Sequence, residues 1–416
     1  MVDQDRAVVP ANKQSLLLLA RAQGRAGKRF ALIADISQFY HSVYTHTLEW
    51  AVHTKTAVKN NRALPHRQRA VMWGRGLDDL HRGLQDQQSV GIPIGPDTSL
   101  VAAEVLLGRV DEEVSRHLSA PGFRYVDDYE LYFDTLAQAE HALSVLQAVL
   151  TEYNLVLNPR KTKIVELPQP LSPEWTRDLR LAGRHVHGRG QRHSLIDLFD
   201  AAHVARKQWP DAPVAKYAMG IVGNVTCQST NWEVLQALLM QAIAVEPGVI
   251  REVLKYLSMG VPAGRNVNRS MVARTLAGVI SRHALLGHGS EVAWALWAHI
   301  QLGLSLDPAS VAAAERMDDD VVLLVLLDAE NRGLATTTNK GALAARMSAA
   351  ALYSGNWLLA YEAARKGWLP HTHLASDPDF SGLAAAGVEF YQNIPAPAQT
   401  QIHVPPHGGA GSGASP

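Results

Sequence analysis

Two separated stretches of this chain, Phe30-Ala-Leu-Ile-Ala-Asp35 and Phe123-Arg-Tyr-Val-Asp127-Asp128-Tyr-Glu-Leu-Tyr-Phe133, each carry apolar residues into aspartate. The first is a continuous apolar run suited to a strand buried on both faces, ending in a carboxylate at the limit of a sheet. The second is two short β-rich runs meeting at an Asp-Asp pair, as a hairpin with acids at its tip would. Strands placed this way bring Asp35, Asp127 and Asp128 together. Three like charges resist ionisation and close approach unless divalent cations sit among them, so the pattern points to hard, oxygen-seeking metals such as Mg²⁺. Taken alone, each element has a plainer reading, with Asp35 capping a helix beside core aromatics and the Asp-Asp pair a solvated bend. Their conjunction favours the metal site.

At 416 residues and 47% hydrophobic content, the chain can build two or three domains on the rough rule of ~150 residues each. Its 39 basic and 39 acidic side chains cancel, which excludes a uniformly positive coat for nucleic acid but not local basic patches. Cys227 is the only cysteine, so neither an intramolecular disulfide nor a cysteine-rich zinc site can form, as suits a reducing cytosol. The apolar run 16–20 is far too short to span a bilayer and is bracketed by Lys13 and Arg21. A globular, cytoplasmic protein without membrane contact is expected.

The pattern changes near Pro170. Before it, short apolar runs at 30–34, 123–126, 131–133 and 164–167 alternate with longer helical stretches, an α+β arrangement. After it, strand signals nearly vanish. The segments 232–245, 247–257, 272–286, 291–304 and 319–327 show helical apolar spacing between Gly, Pro or Asp punctuation, suited to stacked helix pairs although no fixed period is visible. From about Pro395 the chain is rich in Pro, Gly and Ser and is expected to be disordered. The expected divisions are 1–29, 30–170, 171–394 and 395–416.

Two further motifs lie between and after the acidic stretches. Gly91-Ile-Pro93-Ile-Gly95-Pro96-Asp97-Thr98-Ser99 combines glycines that admit close backbone approach with stiffening prolines, then launches a helix that Asp97, Thr98 or Ser99 would cap. Leu100, Ala103, Leu107, Val110, Val114 and Leu118 follow at helical spacing. Leu155-Val-Leu-Asn158-Pro-Arg160-Lys161-Thr162-Lys163 reads as a turn entering a strand. A lysine there, close to a departing pyrophosphate, would stabilise its charge or donate a proton, worth roughly 10²- to 10⁴-fold in rate. A solvated basic turn is the competing reading.

In this order, Asp35 with Tyr40, the loop Gly91, Pro93, Gly95 and Ser99, the hairpin Tyr125, Asp127 and Asp128, and the turn Asn158, Lys161 and Thr162 resemble the palm motifs of reverse transcriptases. Within that superfamily the wording is most similar to the abortive-infection reverse transcriptases of bacterial antiphage defence. The resemblance runs from about Phe30 to Tyr391, with 291–297, 357–362 and 387–391 similar to parts of that group's helical repeat domain. It implies an α+β palm, an antiparallel sheet with helices on one face, followed by an all-α helical-repeat domain. It also implies a nucleotidyltransferase of the RNA-directed DNA polymerase family that uses dNTPs and two Mg²⁺ ions, or Mn²⁺. By similarity, Asp35 and Asp127 would bridge cations ~3.5–4 Å apart, Asp128 would complete the cluster, and Lys161 would join them in catalysis. Tyr40, with Phe39 beside it, matches the steric gate that excludes a ribose 2′-hydroxyl, and Gly91, Pro93, Gly95, Ser99 and Tyr125 would complete the substrate site.

Two departures stand out. Template-copying relatives commonly carry Gln where this chain has Ile94, which cannot hydrogen-bond. The abortive-infection group shares that wording and is associated with DNA synthesis lacking a template and primed from a protein hydroxyl, with Tyr44, Tyr217, Tyr256, Tyr353, Tyr361 and Tyr391 as candidate primers. Single-stranded nucleic acid product and homo-oligomers are implied partners. An RNA-templated polymerase using a partner RNA, and an inactive polymerase-derived scaffold, are the alternatives. At the front, 1–29 is expected to be a residual or truncated fingers segment whose Lys13, Arg21, Arg25, Lys28 and Arg29 are candidates to grip the triphosphate.

No acidic residue lies between Glu49 and Asp78, while Lys55, Lys59, Arg62, Arg67, Arg69 and Arg75 accumulate, as a phosphate-tracking surface would. Arg177, Arg180, Arg184, Arg189 and Arg192, with His185, His187 and His193, form a second patch; lacking acidic or thiol partners, these histidines suit phosphate better than metal. Trp294, Trp297, Trp357 and Trp368 sit among Ala and Leu at helical intervals and read as core.

Overall fold

The computed structural model describes residues 14–392 apart from 224, 261–264, 338 and 371–372. The expected disorder of 395–416 falls outside the described residues, as does Lys13. The chain divides between Pro173 and Glu174 into two compact units.

In the first unit, β1 (Phe30–Asp35), β2 (Gly122–Tyr125), β3 (Asp128–Phe133) and β4 (Lys163–Glu166) form one antiparallel sheet in the order β2-β3-β1-β4. Its helices are α1 (Gln14–Arg25), α2 (Phe39–Ser42), α3 (His46–His53), α4 (Lys55–Ala63), α5 (Gly74–Gly83), α6 (Asp97–His117) and α7 (Leu136–Glu152). The side-chain period of two divides the strands between two faces. Leu32 and Ala34 of β1, with Tyr129 and Phe133 of β3, enter one core with Ala103, Leu107 and Val110 of α6 and Ala142, Leu146 and Leu150 of α7. A capping box starts α7: the Thr135 hydroxyl accepts from Gln138 N–H, and the Gln138 side chain accepts from Thr135 N–H.

The opposite face carries Ala31, Ile33 and Asp35 of β1 across from Tyr132, Glu130 and Asp128 of β3. Helices on one face only were expected, but α1 docks here. Buried Glu130 accepts from Arg21 Nε at 2.8 Å and from Arg25 Nη2 at 2.5 Å. A buried carboxylate needs such partners, and these two arginines supply them. They are therefore engaged in holding the first helix rather than free to grip a triphosphate, which corrects the reading of that cluster. Lys28 is likewise paired with Asp134, and Arg29 with Glu166.

Among its described residues the second unit is helical throughout: α8 (Glu174–Ala182), α9 (Gln191–Gln208), α10 (Val214–Val222), α11 (Trp232–Val245), α12 (Ile250–Gly260), α13 (Arg269–Leu285), α14 (Gly289–Leu302), α15 (Pro308–Glu315), α16 (Asp320–Asn331), α17 (Lys340–Ala345), α18 (Trp357–Arg365) and α19 (Phe380–Ala385), with short 3₁₀ turns between them. Leu198, Leu239, Leu257, Ile280 and Leu296 enter one large core, and Leu324, Leu343, Leu359 and Tyr361 a second. Trp297 is buried, while Trp294 and Trp368 pack against these cores. Side-chain hydrogen bonds fasten the segment 387–391. The Tyr361 hydroxyl donates to Val388 O at 2.8 Å, Phe390 N–H to Glu362 Oε1 at 2.6 Å, and the Tyr391 hydroxyl to Asp328 Oδ2 at 2.9 Å.

Candidate active site

Strand pairing alone brings two of the acids together. Asp35, last in β1, is the register partner of Asp128, first in β3, so both side chains emerge from the same face. Tyr125 of β2 pairs with Asp128 from the other side. Asp127 belongs to the two-residue turn Val126-Asp127 that joins β2 to β3, and its carbonyl accepts from Ile36 N–H at 3.3 Å. Val126 holds φ at +56°, a left-handed conformation costly for a β-branched residue. Arg124 Nη1 donates to the Val126 carbonyl at 2.7 Å, and its guanidinium also pairs with Glu104 and Asp111 of α6, so the strained turn is fixed to a rigid helix.

The turn 158–162 supplies the remaining partners. Asn158 N–H donates to Asp35 O at 2.7 Å, while its side-chain Nδ2 donates to Asp35 Oδ2 at 3.1 Å. Lys161 Nζ donates to Asp35 Oδ1 at 2.8 Å. Asp35 is buried, with both carboxylate oxygens oriented, while the lysine side chain is largely exposed. The Asp35 hydrogen bond raises the Lys161 ammonium pKa above its ordinary value.

One ammonium does not balance three acids. Partial burial, then the Asp127 and Asp35 charges, push Asp128 up to about 6, and burial followed by the Asp35 charge raises Asp127. The Asp35 carboxylate is near enough to Asp128 to raise it further. The three carboxylates nonetheless do not gather one oxygen each within 4.8 Å of one another. The donor set is carboxylate oxygen, the hard chemistry that Mg²⁺ or Mn²⁺ takes.

Tyr40 reaches this site from α2. Burial and then the charges of Asp127 and Glu104 raise its phenol pKa, and its ring packs edge-on to buried Phe39 at 5.3 Å. The Gly-Pro loop lies against α2: Ile92 N–H donates to Tyr40 O and Gly91 N–H to Val43 O, both at 2.8 Å. Gly91, at φ +87°, makes this close approach; a Cβ there would meet the His41 carbonyl at 3.3 Å. The loop thus braces the tyrosine segment, leaving Pro93, Ile94 and Gly95 exposed. Helix α6 takes Pro96, not Asp97, Thr98 or Ser99, as its N-cap, which corrects the capping expectation; Asp97 stands in the first turn, favourable to the helix dipole, and Ser99 is buried.

The two basic patches are more committed than their sequence suggests. Arg62 pairs with buried Glu49, Arg75 with Asp79, and Lys55 lies over the Trp50 ring, while Lys59 and Arg67 remain exposed. Arg177 pairs with Glu174 and Asp178, and Arg192 donates to Asn231 and Thr230 O. Sequence reasoning missed Arg124 and Glu130. A lone charge inside a β-rich run was the available signal for each.

Strand pairing and the 158–162 turn bring Asp35, Asp128 and Lys161 together at one end of the sheet. Residues 3–194, just under half of the chain, match the family model for reverse transcriptase (RNA-dependent DNA polymerase). The match spans Asp35, the loop 91–99, the Asp127-Asp128 pair and Lys161. No curated protein matches the sequence. No helix among the described residues is long and apolar enough to cross a membrane.

Proposed function

We propose that this chain is a DNA polymerase of antiphage abortive infection, joining deoxynucleotides by two-metal nucleotidyl transfer, without a template and from a hydroxyl of the protein itself. The observation that carries the chemistry is the pairing of Asp35 with Asp128 across β1 and β3, with Lys161 bonded to the same Asp35 carboxylate. Asp35, Asp127 and Asp128 would hold divalent cations, whose chemistry when bound would be to neutralise the triphosphate and activate the attacking hydroxyl. Asn158 orients Asp35 for that task. Lys161, when released from Asp35, presents a charged donor to the leaving pyrophosphate. Tyr40, braced by Phe39 and the 91–95 loop, excludes the ribose 2′-hydroxyl; Tyr40→Ala should lower discrimination against ribonucleotides about tenfold or more in competition assays. Unchanged selectivity would remove that role.

Support for template-free synthesis is Ile94, exposed and without a hydrogen-bonding group where template-copying relatives use an amide. Among the candidate primers, Tyr256, Tyr361 and Tyr391 donate to Val225 O, Val388 O and Asp328, and Tyr353 donates to Asp377 and Asp379. Tyr44 and Tyr217, whose rings pack against neighbouring aromatics, are the better candidates. The test is incubation of the full chain with each labelled dNTP and Mg²⁺ or Mn²⁺ without template. Label should remain on the denatured protein and disappear in Asp127→Asn. Synthesis only with an added RNA, mirrored in the product, would replace this reading with templated polymerisation. Phage plating on cells carrying wild type or Asp35→Asn tests the defence role; equal plaque counts would reject it.

A further inference from the structure

A second cluster of ligating side chains lies far along the sequence from the palm acids and differs from them in chemistry. His283 sits in the last turn of α13, His288 is the N-cap of α14, and Glu291 lies in its first turn. Among the described residues these three are the one group of His, Cys, Asp or Glu whose ligand atoms, one from each, all fall within 4.8 Å of one another. The turn between the helices fixes them. Gly287 takes φ +68°, Gly287 N–H donates to Ala284 O at 3.2 Å, and His288 N–H donates to His283 O at 3.0 Å.

The two imidazoles meet through like atoms. His283 Nδ1 and His288 Nδ1 are 2.9 Å apart, with ring centroids at 5.2 Å. Two ring-nitrogen lone pairs at that distance require a proton or a cation between them. A metal at the usual ~2.0–2.1 Å from each nitrogen would subtend about 90°, and opening the pair by roughly 0.4 Å reaches the tetrahedral angle. His288 is exposed, so that movement is sterically cheap. Glu291 offers the carboxylate of a two-histidine, one-carboxylate set. Gly289 also leaves room for a second acid: a Cβ there would stand 1.8 Å from Asp319 Oδ2. Arg282, the adjacent cation, turns its guanidinium toward Ala244 O.

We propose that His283, His288 and Glu291 bind one divalent transition metal of the Zn²⁺ class, fastening the turn between α13 and α14. Imidazole donors favour Zn²⁺, Co²⁺ or Ni²⁺ over Mg²⁺, so this site and the palm acids select different ions. Three protein ligands leave a position for water or for a donor from a partner.

The full chain, stripped with EDTA, is titrated with Zn²⁺ and separately with Co²⁺. One equivalent should bind, with visible d–d bands for Co²⁺, and a hundredfold excess over the dissociation constant should raise the melting temperature by roughly 5–10 °C. Asp35→Asn should retain this behaviour; His283→Ala and His288→Ala should lose it, and Glu291→Gln should weaken it. His288→Asn serves as a second replacement, and each variant's melting temperature in EDTA shows whether it is folded. Equal Zn²⁺ binding by wild type and the double histidine variant, or no binding by either, would leave a shared-proton histidine pair and overturn the proposal.

Discussion

Asp128 faces Asp35 across two hydrogen-bonded strands, and its pKa near 6 against an ordinary 3.8 records the cost of that placement. A carboxyl with a raised folded-state pKa holds its proton more tightly in the folded protein than in the unfolded one. The stability tied to it is therefore fully present below about pH 4, declines from about 4 to 6, and stays reduced above. Asp128→Asn should raise the melting temperature of the metal-free protein by a few degrees at pH 8, with the difference closing by pH 4, as read by thermal melts in EDTA. A lower melting temperature at pH 8 would mean that the carboxylate is held by favourable partners instead. Val126 carries the second local cost. Val126→Gly relieves about 1–2 kcal/mol of left-handed strain and adds about 0.5–1 kcal/mol of unfolded-chain entropy, so urea unfolding should find it within about 1 kcal/mol of wild type. A loss above about 2 kcal/mol would show that the side chain's packing outweighs the strain. The acids themselves were legible because they end apolar runs; the turn strain was not, since Val126 reads as an ordinary strand residue.

At the scale of elements, the docking of α1 depends on charges that sequence patterning assigns to solvent. Glu130 is buried on the face of β3 that also carries Asp128, and against the burial that would raise its pKa, the hydrogen bonds from Arg21 and Arg25 hold it below the usual carboxylate range. Removing it leaves two arginines against a sheet. Glu130→Ala should destabilise the protein by about 2–4 kcal/mol, less than a fully enclosed ion pair because Arg21 is partly exposed, and should speed hydrogen exchange in 14–25. Combining it with Arg25→Ala should cost less than the sum of the two changes, and strict additivity would exclude the coupling. These partners stand 105 residues apart, beyond any local pattern. Helices were easier to read, and 232–245 was delimited to the residue as α11. There the information is local: an apolar face opened by Asn231-Trp232 and closed before Glu246-Pro247.

The whole molecule was legible as a change of texture, from strand runs between helices to helices alone, because each unit fills its interior from its own segment. The first unit's core draws on buried residues from Leu32 to Leu157, and those of the second on residues from Trp175 onward. What texture does not convey is how the later helices stack, since their lengths follow no fixed repeat. Chains with separate cores need not unfold in one step. Leu107 of α6 and Leu239 of α11 are both fully buried, and truncating either to Ala removes packing worth about 2–5 kcal/mol. Scanning calorimetry of the full chain should therefore resolve two transitions. Leu107→Ala should lower one and leave the other in place, while Leu239→Ala should do the reverse. If either substitution moved both transitions together, the two interiors would be a single cooperative structure, and the division between Pro173 and Glu174 would describe chain geometry rather than energetics.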